Sequence, residues 1–357
     1  MKKIFLVLLI ITMAFVGCGK NEEPEEQIDI VEEVPEDVIE EEEEEEIDEF
    51  EGMAMNPLTG LYIDEEAANR RPIGIMINNH GGAIPQSGIM QADVFYETVV
   101  EGGITRLLAL YQDFDSEKIG PIRSARHYFL EYAFDHDAIY VHHGQSPQAQ
   151  AAFSQLNTPN FNGMTWGGIM NFIDSTRVAP NSTYTSYERL MNTWEETGYR
   201  QEISEDLEPK FRFYEEETDL NSDIVANEVT LPFSGNTTYT SNFSYDEDLK
   251  LYKRYHRGGQ PHIERETEEQ LEFKNIIVQY TSTWLIPGDT AGRLDQDLIS
   301  NGKGYYITNG EAIEITWEKT AHRSATQYYD EEGNELLMNK GKTWIAVFPD
   351  NREIILE

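Results

Sequence analysis

The chain has 357 residues, of which 39% are apolar and 26% charged, with a formal net charge of −39 and a single cysteine. That charge excludes nonspecific nucleic-acid binding and opposes adhesion to anionic lipid headgroups. One thiol excludes an internal disulfide, so a folded body must be held by its core alone.

Lys2 and Lys3 open the chain, and an apolar run from Ile4 to Val16 follows, interrupted by Thr12, with Gly17 directly before Cys18. As a helix this run would reach about 20 Å at ~1.5 Å per residue, short of a hydrocarbon core of ~30 Å. Its length and flanks suit a cleaved export signal instead. The pattern resembles a bacterial lipobox, which implies that residues 1–18 are a lipoprotein signal with Cys18 as the lipidated position. Lipid at Cys18 would place the protein on the outer face of the cell membrane, with two acyl chains needed for stable anchoring. Lipidated, Cys18 leaves no thiol for a metal ligand or a nucleophile.

Residues 19–55 read as a disordered acidic tether. Glu40 to Glu46 is unbroken, and residues 1–51 carry 19 of the 66 acids against three bases. Such a stretch cannot bury enough apolar surface to offset its ordering entropy.

Two folded parts are expected beyond it, giving an α+β protein overall. Residues 56–205 read as an α/β layered domain, with strands at Arg71–Asn78, Val94–Val100, Ile104–Tyr111 and Ala138–His143. Helices are expected over Ile122–Phe134, after Ser146-Pro147, and over Tyr187–Thr197. Residues 206–357 alternate in short segments separated by Gly258-Gly259, Asn309-Gly310 and Asn339-Lys340-Gly341, which predicts a mostly antiparallel β domain.

The strongest candidate site is Gly120-Pro121-Ile122-Arg123-Ser124-Ala125-Arg126. With Pro121 at the first helical position, Arg123 and Arg126 would share one face of the first turn. Cations there oppose the macrodipole unless an anion lies between them and the free N–H groups. That anion is either an external ligand, with Arg106 as a third cation, or an internal carboxylate from Glu97 or Glu101. Asn78, at the end of the first strand, could share the pocket. His142 or Asp93 would move protons if the site were catalytic. His142 and His143 face opposite sides of a strand and cannot readily share a metal. Ser146 reads best as a helix cap. No metal site and no cofactor motif is expected: the Gly102-Gly103 pair lacks nucleotide-binding spacing. Tyr252-Lys253-Arg254-Tyr255-His256-Arg257 reads as an amphipathic edge strand or a contact patch.

Several stretches together resemble the YerB-type lipoproteins of Gram-positive bacteria, a family with a domain of unknown function. They include Pro57-Leu58-Thr59-Gly60, Gln91-Ala92-Asp93-Val94, Glu101-Gly102-Gly103-Ile104-Thr105-Arg106, Gly120 through Arg126, and Gly341-Lys342-Thr343-Trp344-Ile345. The resemblance implies a two-part exported lipoprotein and brings no catalytic residue or cofactor with it. A fainter resemblance, of general arrangement only, is to the LytR-CpsA-Psr phosphotransferases. The expected function is a non-enzymatic accessory lipoprotein, anchored in the membrane through Cys18, whose partner is an envelope protein or glycan. The alternative is an enzyme acting on anionic envelope polymers.

Overall fold

The computed structural model describes residues 50–256 and 258–357. Cys18, the expected signal 1–18 and residues 19–49 of the expected tether lie outside the described residues, as does Arg257. Regular structure begins before Asn56: Met53–Met55 pairs antiparallel with Tyr62–Asp64. Among the described residues, no helix is long and apolar enough to cross a membrane.

The protein is mostly β, with mixed sheets. Among the described residues the largest sheet has eleven strands. At its centre, Thr343–Pro349 lies parallel to both Val94–Val99 and Asn275–Thr281. On one flank Val94–Val99 pairs with Thr105–Tyr111, followed by Ile73–Ile77, Ile139–His142 and Asn160–Asn162. On the other, Asn275–Thr281 is followed by Asn301–Thr308, Glu311–Glu318 and Ile224–Val225. Strands from both sides of residue 205 therefore share one hydrogen-bonded sheet.

The central strands are apolar on both faces because both faces are covered. One face carries Ile75, Phe95, Ala109, Ile276 and Trp344. A second, six-stranded sheet packs there through Phe243, Tyr252 and Phe273. Phe95 stacks on Trp344 at 5.2 Å, and Phe273 meets both rings edge-on at 5.5 and 5.1 Å. The other face, with Met76, Tyr96, Leu108, Ile277 and Ile345, is covered by the helices Phe129–Phe134 and Pro147–Gln155. Ser146 caps the latter, accepting from the Ala149 N–H at 3.1 Å, and Tyr187–Thr197 is helical as expected.

One expected helix is mostly absent. Residues 122–126 are extended, and helix begins only at Phe129. Their N–H groups are taken by neighbouring chain: Ile122 donates to Thr183 O, Arg123 to Met76 O and Ala125 to Gly144 O, at 2.8, 2.8 and 3.0 Å. Pro121 suits a helix start locally, but these tertiary pairings decide the conformation. Gly120 lies at φ +147°, where a Cβ would sit 2.9 Å from the Tyr184 ring.

Asp135, just past the Phe129–Phe134 helix, ties distant segments together. Its carboxylate is 2.7 Å from Lys210 Nζ and 2.8 Å from Lys319 Nζ, all three side chains being almost fully buried. It also accepts from the Thr326 N–H at 3.0 Å. Burial alone would raise this carboxyl, but the two ammonium groups hold it well below the usual range. Stability from this group is therefore present at neutral pH and lost as pH falls through the depressed folded value. Asp135→Asn leaves buried Lys210 without a carboxylate and Lys319 with only Glu131 at 3.7 Å. A loss of about 3–5 kcal/mol is expected in urea unfolding at pH 7. An unchanged unfolding midpoint would reject this role.

Candidate functional site

Arg106, Arg123 and Arg126 come together at one end of the central sheet, although not on a helix. Arg106 stands near the start of Thr105–Tyr111, opposite Thr98. Glu101 lies in the turn Glu101–Gly103 that joins Val94–Val99 to Thr105–Tyr111, and Gly102 holds that turn at φ +73°. Arg123 and Arg126 arrive on the extended segment pinned between Met76 and Gly144.

Arg126 meets Glu101 in a two-pronged pair, Nε–Oε1 at 2.5 Å and Nη2–Oε2 at 2.9 Å. Of the two internal carboxylates considered from the sequence, Glu101 serves the cluster and Glu97 does not. Arg106 is only 6% exposed, yet its guanidinium has no ion-pair partner among the described residues. Its Nη1 donates to Ser124 O at 2.6 Å. Arg123 is half-buried, and its Nε has no hydrogen-bond partner among the described residues.

Three guanidiniums thus gather around one carboxylate that pairs with Arg126 alone, and the electrostatics follow. Burial, reinforced by Arg126, pushes Arg106 down to about 10. Burial and the same neighbour lower Arg123. For Arg126 burial opposes the charge, but Glu101 outweighs it and raises the group. Glu101 is lowered, Arg126 and Arg106 together overcoming its burial.

The other expected residues are engaged elsewhere. Glu97 is fully buried and bound by a network reaching into the second sheet. It accepts from Thr105 Oγ1 and Ser241 Oγ, each at 2.6 Å, and from Asn79 Nδ2 at 3.3 Å. Arg254 Nη2 lies 3.4 Å away, with no exposure on either side chain. The Arg254 guanidinium also lies 4.2 Å over the Trp344 ring and meets His262, which in turn meets Gln86 at 2.7 Å. This network was missed in the sequence, and Leu251–His256 is not a bare edge: Ser241–Asp246 flanks it on one side, and Gln260–Pro261 and Glu272–Phe273 on the other.

Asn78 lies beside the arginine segment, but its Nδ2 donates to Asn181 at 2.6 Å. His142 is buried between Gly144 O at 2.8 Å and Asn160 Oδ1 at 3.0 Å, stacked on Phe153. Burial pushes it down to about 4. His143, on the opposite side, is half-buried and meets Asn171 at 2.9 Å. Asp93 belongs to the other end of the strand, roughly 17 Å from Thr98 at ~3.4 Å per residue. Among the described residues, no group of three or more His, Cys, Asp or Glu could hold a metal ion.

Comparison with known proteins places this geometry in a family. Residues 58–200 match the N-terminal domain, and residues 229–345 the C-terminal domain, of the protein family of unknown function DUF3048. The putative lipoprotein YerB of Bacillus subtilis (strain 168) is 33% identical over 302 residues, spanning 82% of this chain and 86% of that protein. The chain belongs to the YerB family. The crystal structure of YerB protein from Bacillus subtilis matches with a TM-score of 0.75 at 32% identity, covering 85% of this chain and 99% of that one. The motifs quoted from the sequence led to the same family, and the arginine cluster of this YerB-family chain lies within its N-terminal domain.

Asp93 gives a pH test apart from the cluster. Burial pushes its carboxyl up to about 7, against the Gln112 N–H and the nearby Lys342 ammonium, which pull it down. A carboxyl raised on folding binds its proton more tightly in the native chain. Stability is therefore lost as pH rises from about 4, the unfolded value, toward 7. Asp93→Asn should remove this component, so the fall in unfolding free energy between pH 4.5 and 7 becomes shallower. An identical slope in the variant would overturn the assignment.

Proposed function

We propose that this chain is a lipoprotein, held at the outer face of the cell membrane through Cys18, that captures an anionic group of an envelope polymer on Arg106, Arg123 and Arg126. The observation that carries the reading is the imbalance of three guanidiniums to one carboxylate. A buried cation without a counter-charge is costly, and an incoming phosphate or carboxylate would supply that charge with several directed hydrogen bonds. The surrounding protein is strongly acidic, so the cluster offers an anion a local minimum inside a repulsive field. The name of the Bacillus relative supports the lipoprotein assignment. Binding is favoured over turnover because His142 is enclosed by protein acceptors and Asp93 is at the far end of the strand. The cluster thus has no nearby proton carrier among the residues first considered for that task.

Arg106→Gln with Arg123→Gln leaves the Arg126–Glu101 pair in place and removes two like charges. Affinity for a glycerol phosphate oligomer should drop at least tenfold by calorimetry, with the unfolding midpoint unchanged or raised. Equal affinity in the double variant would reject the anion site. The anchor is tested separately: Cys18→Ala should move the protein from the membrane fraction to the soluble fraction. Mass spectrometry showing an unmodified Cys18 behind an intact leader would reject the lipid assignment.

A further inference from the structure

A second site lies in the C-terminal half, in an open groove of about 670 Å³ at the end of the strands Asn275–Thr281 and Asn301–Thr308. The register sets its floor. Val278 is opposite Tyr305, and Tyr305 is opposite Glu314, so Tyr280, Tyr305 and Glu314 project from the same sheet face. The Tyr280 and Tyr305 rings stand 6.4 Å apart at 71°. The platform is held from below. Trp317 Nε1 donates to Tyr280 O at 3.0 Å, an approach that needs glycine at position 302, where a Cβ would lie 2.7 Å from that nitrogen.

Three polar side chains around these rings are uncommitted, while the Glu314 carboxylate accepts a hydrogen bond from the Tyr305 hydroxyl. Among the described residues, the side chains of Asn301, Lys303 and Arg352 make no hydrogen bond or ion pair. The groove therefore offers two tyrosine rings, a free amide and two free cations, with the Glu314 carboxylate beside them sharing its acceptor capacity with the Tyr305 hydroxyl.

We propose that this groove binds a short segment of an uncharged oligosaccharide. Sugar rings present flat C–H faces suited to tyrosine, edged by hydroxyls that both donate and accept. A strongly anionic polymer would meet Glu314 and its acidic neighbours, and an apolar ligand would leave the amide and cations desolvated and unpaired. The volume falls within the range of small-molecule sites. The inference is independent of the arginine reading, since the two sites share no residue.

The test uses the folded protein against uncharged β-linked tetrasaccharides, cellotetraose and the N-acetylglucosamine tetramer, followed by saturation-transfer NMR and calorimetry. At least one should bind. Tyr305→Ala should weaken it tenfold or more, and Asn301→Ala with Lys303→Ala, at exposed positions that spare the core, should weaken it comparably with an unchanged unfolding midpoint. The Arg106/Arg123 double variant should bind the sugar as the native chain does, so failure here and failure of the anion site are read separately. Binding of neither tetrasaccharide at millimolar concentration would overturn the proposal. So would binding that survives both groove variants, or binding confined to charged glycans or peptides.

Discussion

The buried pair of Glu97 and Arg254 sets the terms for much of the molecule. Glu97 rises from the central sheet, Arg254 descends from the second, and neither side chain is exposed. Charges this deep are tolerable only where hydrogen bonds satisfy the remaining lone pairs and protons. Thr105, Asn79 and Ser241 do this for the carboxylate, while Trp344 lies flat beneath the guanidinium. Because the donors come from both sheets, the network fixes one layer's position against the other more specifically than aromatic packing alone could.

The alternation that sends Glu97 toward the second sheet also shapes the arginine cluster. Glu97 and Glu101 are four residues apart, but alternation puts Glu97 on the Phe95 face of the sheet and Arg106 on the Tyr96 and Leu108 face. Only Glu101, in the turn, is placed to answer the guanidiniums. Glu101 spends both oxygens on Arg126. Among the described residues Arg106 and Arg123 remain without a carboxylate, in a protein with far more acids than bases. An excess of positive charge at this one place is thus a consequence of the pleat, which sends the neighbouring negative charge to the opposite face.

Much of this was legible in the sequence, and the failures have identifiable causes. The apolar strands, the Ser146 cap and the Tyr187–Thr197 helix follow from local periodicity and end signals. Arg106, Arg123 and Arg126, with Glu97 or Glu101 as the internal carboxylate, were recognisable as a candidate cluster from residue types and spacing. Gly120-Pro121 misled because it is a sound helix start taken by itself, whereas Met76, Gly144 and Thr183 are remote in sequence and their claims on the backbone cannot be seen there. Arg254 left a trace: alternation put it on one face with Tyr252 and His256, and that face is the buried one. Its partner, 157 residues away, had no local signature. The sugar-sized groove was equally hidden, since its walls come from separate strands and a C-terminal turn.

The pairing of Val94–Val99 with Thr343–Pro349 also has a bearing on how the chain comes to be folded. As the polypeptide emerges from its N-terminal end, Val94–Val99 can pair with Thr105–Tyr111 soon after synthesis, but its other edge waits for a strand about fifteen residues from the end of the sequence given. Contacts between such distant segments form late, because a long loop must close before they are rewarded. Until then a row of unpaired backbone groups flanked by Phe95 and Tyr96 stays open to any other extended chain. The molecule would thus depend on something to shield that edge, or on remaining unfolded, until its last long strand is delivered.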